Sequence, residues 1–157
     1  MTTSLFLGSG AGNLQVSTTT EGSNTGVGIN ALNKNVDGLY NTAIGVASLK
    51  NNTAGYNTAI GFGSLENNTT GVSNTAIGQS ALRANISGNY NMAIGRTASF
   101  LNTTGNSNIA IGEAANYYNE TGGYNIMIGT SAGKGTSGNS ISNNVFIGER
   151  AGELVHR

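Results

Sequence analysis

The chain has 157 residues, with seven basic and seven acidic side chains, 25 glycines and no proline, cysteine or tryptophan. Its formal net charge is zero and the charges are scattered singly, so there is no basic stripe for nucleic acid or for an anionic membrane surface. The missing cysteines exclude disulfides and thiolate metal sites, and no run approaches the roughly eighteen apolar residues of a membrane span.

With only 9% charged residues and few large apolar groups, such a composition would ordinarily point to disorder, because too little apolar surface offsets chain entropy. Periodicity argues for order. The phrase Asn57-Thr58-Ala59-Ile60-Gly61 recurs at Asn41 to Gly45, Asn74 to Gly78, Asn91 to Gly95, Asn108 to Gly112 and Asn125 to Gly129, with looser copies ending at Gly28 and Gly148. From Gly28 to Gly129 the closing glycines are spaced 17, 16, 17, 17, 17 and 17 residues apart. A fixed period of this size marks a solenoid whose coils bury a little apolar surface each and repeat that gain along the stack.

In chain order, Met1-Thr2-Thr3-Ser4 lacks the basic region and long apolar core of a secretory signal, so export by that route is not expected. Ser4-Leu5-Phe6-Leu7-Gly8 is a remnant coil, and Gln15 to Thr20 is a polar, β-prone run that breaks the period. Residues 1–23 are therefore expected to form an N-terminal cap or attachment arm. Residues 24–148 are the repeat domain, each coil offering a short strand, a glycine corner, a second extended or loop segment, and a turn. Residues 149–157, which carry the lone His156, are expected to be a polar C-terminal cap.

Numbering each coil from its opening Asn, position four is Val27, Ile44, Ile60, Ile77, Ile94, Ile111, Ile128 and Ile147. This column is expected to be the core spine, stacked at a strand spacing of about 4.8 Å, with position two on the same face. Position three is small at Gly26, Ala43, Ala59, Ala76, Ala93 and Ala110, before Met127 and Phe146, so the opposite face is expected to be packed closely by something else. Glycine at position five fits a corner needing positive φ or close backbone approach. A second glycine column, Gly38, Gly55, Gly71, Gly88, Gly105 and Gly122, is expected to end each loop. Asn at positions one and twelve serves either as a turn residue or as a stacked amide ladder.

Three columns change together near residues 79 to 95. Position two runs Thr25, Thr42, Thr58, Thr75 and then Met92, Ile109, Ile126, Val145; position six runs Ile29, Val46, Phe62 and then Gln79, Arg96, Glu113. Leucine at position nine (Leu32, Leu49, Leu65, Leu82) gives way to Phe100 and Tyr117 one residue later. Position six is accordingly expected to be buried against another subunit in the N-terminal half and solvated in the C-terminal half. Lys50, Glu66 and Arg83 share one column and Arg96 and Glu113 another, which predicts exposed charge ladders worth at most about 1 kcal/mol per pair.

No catalytic, cofactor-binding or metal-ligating residues are assigned. The repeats contain no histidine to act as a base, and the carboxylates are isolated. Gly133-Lys134-Gly135-Thr136 fails the phosphate-loop spacing, and Asp37, as the lone aspartate, excludes calcium-binding nonapeptide repeats.

The recurring Asn-Thr-Ala-Ile-Gly, with Ser-Leu and Asn-Thr-Thr-Gly between copies, resembles repeat regions of bacteriophage tail-fibre-like and other virion surface proteins. More distantly it is similar to head repeats of trimeric autotransporter adhesins, whose Ala-Ile-Gly phrase recurs at shorter spacing. The resemblance implies an all-β, left-handed parallel β-roll or β-helix of about eight to nine coils, assembled as an intertwined or side-by-side homotrimer. Self-association has a physical motive, since one narrow coil buries little at roughly 25 cal/mol per Å². Ala43, Ala59, Ala76, Ala93 and Ala110, with Ile29, Val46 and Phe62, are the candidate subunit contacts.

The resulting expectation is a non-enzymatic structural protein on a phage or phage-like virion surface, serving as a host-attachment fibre or a capsid decoration. Its partners would be itself, other virion proteins and a host-surface glycan or protein. The alternatives are an ice- or glycan-binding solenoid and an adhesin head module. Ice binding requires regular threonine files, and the single file Thr25, Thr42, Thr58, Thr75 ends at Met92.

Overall fold

The computed structural model describes residues 4–13, 23–138 and 140–153. Residues 1–3 and 14–22 of the expected N-terminal cap or arm, and 154–157 of the tail, including His156, lie outside the described residues. Among the described residues the chain is an all-β solenoid with one three-residue strand per coil: β1 (Leu5–Leu7), β2 (Thr25–Val27), β3 (Thr42–Ile44), β4 (Thr58–Ile60), β5 (Thr75–Ile77), β6 (Met92–Ile94), β7 (Ile109–Ile111), β8 (Ile126–Ile128) and β9 (Val145–Ile147). They form one parallel sheet in sequential order, β1 to β9. Equivalent positions pair without slippage, as in Ala59 with Ala76 and Ile60 with Ile77.

Backbone bonding between coils continues around the turns. Leu49 N–H donates to the Ser64 carbonyl at 3.0 Å, and Tyr56 N–H donates back to Leu39 at 2.9 Å. Coils can lie this close because the position-five glycines adopt φ between +124° and +135°. A Cβ on Gly78 would sit 2.6 Å from the Gly95 carbonyl oxygen, so only glycine fits. Other corners use the left-handed region with ordinary residues, including Leu32, Leu49, Leu65 and Leu82 at φ 48° to 52°.

The core is the reverse of the sequence expectation. Position three, not position four, points inward: Ala43, Ala59, Ala76, Ala93, Ala110 and Met127 are fully buried. They form one cluster with Leu32, Leu49, Leu65 and Leu82 from position nine on the opposite wall. The expected spine of Val27, Ile44, Ile60, Ile77, Ile94, Ile111, Ile128 and Ile147 lies on the outer face, half-buried in the sheet or exposed. The physical reason is the Asn at position one. Its amide is committed to the interior, and strand parity then sends positions two and four outward.

Those amides form two ladders. Each position-one Asn accepts the backbone N–H of the next, as Asn57 Oδ1 does from Asn74 N at 2.9 Å and Asn74 Oδ1 from Asn91 N at 2.9 Å. Each also donates across the coil, as Asn74 Nδ2 does to the Gly88 carbonyl at 2.8 Å. At position twelve the amides link directly, with Asn85 Nδ2 donating to Asn68 Oδ1 at 2.7 Å and Asn102 Nδ2 to Asn85 Oδ1 at 2.9 Å. Buried polar groups paired in this way fix register as well as stability.

Two details of register also differ from the sequence reading. Asn52 Nδ2 donates to Ala54 O, as Asn35 Nδ2 does to Gly38 O, so Ala54 rather than Gly55 occupies the second glycine column. The 16-residue coil has lost one residue before that point. Leucine at position nine is succeeded not by Phe100 and Tyr117 but by Ser99 and Asn116, both buried, while Phe100 and Tyr117 stack outside that column with ring centroids 5.2 Å apart.

That replacement leaves a polar stretch of core. Asn116 Nδ2 reaches Ser99 Oγ at 3.4 Å, but the side-chain oxygens of Asn102 and Asn116 are buried without a partner among the described residues. Leu82 shows that leucine fits the same column at φ 50°, against 55° for Asn116. Asn116→Leu is therefore expected to stabilise the fold by about 1–3 kcal/mol, by removing an orphan acceptor and adding apolar contact. A lower midpoint in a thermal melt would contradict this.

Candidate interaction surface

The inward commitment of Asn and Ala places the bulky β-branched residues on the outside. Ile44 is 40% exposed and Ile60 and Ile77 are each 36% exposed, along a face that also carries Leu5, Leu7, Met92 and Val145. Over nine strands at about 4.8 Å this face runs roughly 40 Å. Exposure is highest at the two ends and from Ile44 to Met92, with Ile94, Ile111 and Ile128 half-buried between, an apolar strip larger than ordinary surface scatter.

Of the expected subunit contacts, Ala43, Ala59, Ala76, Ala93 and Ala110 are fully buried within their own coils and cannot meet another chain. That part of the expectation is corrected: what packs closely on them is the opposite wall of the same coil. Ile29, Val46 and Phe62 are exposed beside the sheet. Phe62 is 52% exposed and the Glu113 side chain 50%, so in the single chain position six does not differ in burial between the two halves. The difference is chemical, apolar before Gln79 and polar after it.

The expected charge columns are paired in part, since among the described residues Lys50 forms no salt bridge with Glu66. Arg83 Nε meets Glu66 Oε2 at 2.7 Å, and Arg96 pairs with Glu113 on the exposed side. Arg150 pairs with Glu153, a hydrogen bond that raises the guanidinium above its ordinary pKa. Such solvated pairs contribute little to stability. Among the described residues no group of three or more His, Cys, Asp or Glu side chains converges to hold a metal, and no helix is long and apolar enough to cross a membrane.

A second exposed feature, unmarked in the sequence reading, is the corner just before each opening Asn. Tyr40, Tyr56, Ser73, Tyr90, Ser107 and Tyr124 occupy it in successive coils, all at φ 56° to 62°. The four tyrosines are exposed by 48%, 63%, 65% and 67% in that order. Tyr40 and Tyr56, one coil apart, stack with centroids 5.1 Å apart and planes within 20°. The column was legible from the period, but it is invisible if only the Asn-to-Gly phrase is compared.

Comparison with protein-family models, with curated proteins and with solved structures returns no match for this chain.

Proposed function

We propose that the chain is a non-enzymatic structural rod of a phage or phage-like virion surface, acting as an attachment fibre or capsid decoration. In this reading it self-associates as a homotrimer through its outer sheet face. The observation that carries the reading is the exposed strip of Ile44, Ile60 and Ile77 continued by Ile29, Val46 and Phe62, a surface too apolar and too long to be left in water. The motif resemblance supplies the virion setting.

Sedimentation equilibrium tests the assembly. The expected mass is three times the 15.9 kDa of the chain, and a monomer over the micromolar range would overturn it. Phe62→Glu replaces an exposed side chain, so its effect on folding should stay within about 0.5 kcal/mol, while a desolvated charge at a subunit contact should weaken assembly at least tenfold. An unchanged mass profile would remove Phe62 from the interface. Immunogold imaging of the native particle tests the setting.

A further inference from the structure

We infer that the tyrosine column is a binding site for a neutral glycan whose sugar rings enter the gaps between successive tyrosines, the chain running across the rod. The Tyr40–Tyr56 pair shows that this corner presents rings parallel from one coil to the next at 5.1 Å. Further along, tyrosines alternate with serines: Tyr56, Ser73, Tyr90, Ser107, Tyr124. The alternation spaces successive rings two coils apart, roughly 10 Å, with a hydroxyl-bearing floor between them.

Each gap has the size of one sugar ring stacked between two aromatic faces, a contact in which the C–H face of a pyranose meets the negative face of the ring.

The neighbouring columns favour a neutral polymer. From Leu39 to Ile126 the positions immediately before and after the tyrosine corner contain no charged residue. The polar groups beside it are Asn89 and Asn106, whose side chains already link at 3.1 Å on the surface, and, two residues past the corner, Thr42, Thr58 and Thr75, before that column turns apolar at Met92. Uncharged donors and acceptors beside exposed aromatic faces are what sugar recognition requires, whereas an acidic polysaccharide would need cations. The inference deepens the surface role proposed above and rests on it for its setting, while the chemistry of the site stands apart from the trimer.

Calorimetric titration of the full chain with cellohexaose and with chitohexaose is the test. Saturable binding is expected for at least one of these probes, with an acidic polygalacturonate oligomer binding at least tenfold more weakly. Tyr90→Ser, which leaves a residue the column already uses, should weaken binding about tenfold, as expected for loss of about 1.4 kcal/mol of stacking. The double variant Ser73→Tyr/Ser107→Tyr should fill both gaps and abolish binding while the rod stays folded, because adjacent tyrosines are already accommodated at Tyr40 and Tyr56.

Failure of both neutral probes to bind would overturn the inference, as would equal binding of the acidic one or undiminished binding by either variant. If filling the gaps instead changes the sedimentation mass, the column is an interface between copies and the glycan assignment falls. Mass and titration are read on the same samples: a monomer that binds sinks the trimer alone, and a trimer that does not bind sinks the glycan site alone.

Discussion

Gly78→Ala is expected to destabilise the solenoid by more than about 4 kcal/mol, the range reached when a backbone position cannot adapt. Two costs act together at that site. Its φ of +132° is closed to an alanine without strain, and the added Cβ would stand 2.6 Å from the carbonyl oxygen of Gly95, with no flexible side chain to yield. Gly63→Ala is the control. Gly63 also has a positive φ, +62°, but the nearest atom to its Cβ is the carboxylate of Glu66 at 3.4 Å, and Ala47 occupies the same column at φ 59°. It should shift stability by less than about 1 kcal/mol. Coils interact chiefly with their neighbours, so hydrogen exchange should show protection lost around Gly61 to Gly95 in Gly78→Ala and retained further away. Equal melting of the two variants would refute the account.

Gly133→Leu is expected to cost at least about 3 kcal/mol, and Met127→Ala on the same chain to restore most of it. The interior of each coil is filled by a small residue at position eight, such as Ala81, Ala98 or Ala132, and by a pair whose sizes trade off, one from the strand and one at position nine on the opposite wall. Ala59 faces a coil with Leu65 and Ala76 one with Leu82, whereas Met127 accompanies Gly133, Phe6 accompanies Gly12 and Phe146 accompanies Gly152. A Cβ on Gly133 would lie 2.3 Å from the Met127 sulfur, and one on Gly152 would lie 2.5 Å from the Phe146 ring. The conformation is not the obstacle, because Leu82 holds φ 50° in the same column as Gly133 at 56°. Met127→Ala alone leaves a cavity and should cost about 2–5 kcal/mol, so the single losses sum to at least about 5 kcal/mol while the double variant loses far less, a coupling of at least about 3 kcal/mol. Additive losses measured by denaturant unfolding would mean that the two positions do not share one space.

The features legible in the sequence are those set by the period. The strand positions, the parallel pairing in register and the need for glycine at position five all follow from equivalent residues stacking on one another. Which side faces inward did not follow, because hydrophobicity favours Ile60 over Ala59 for a core, and only the interior amide of Asn57 reverses that choice. A buried Asn at 0% exposure has no signature in a single coil that separates it from a turn residue. Its ladder exists only between coils. The same limit displaced Gly55, since the one-residue deletion could be placed on either side of Ala54 until the carbonyl accepting from Asn52 fixed it. The size exchange between Met127 and Gly133 was present in the sequence, but it becomes meaningful only once those two positions are known to share an interior. For the surface, Ile29, Val46 and Phe62 were identifiable as an apolar file, while the tyrosine corner was hidden by its position outside the repeated phrase.

The column change at mid-length also sets a direction. On the outer face the apolar width spans positions four and six while Ile29, Val46 and Phe62 last, then positions two and four once Met92, Ile109 and Ile126 replace the threonines. The water-avoiding band therefore drifts sideways across the strands as it advances, although every strand stays in register. A straight partner covering all of it must cross the rod obliquely, and identical rods covering one another in this way would wind into a rope. The pitch of that rope would be encoded in which coil exchanges Thr75 for Met92, and moving the exchange by one coil would retune it without altering the interior of a single coil.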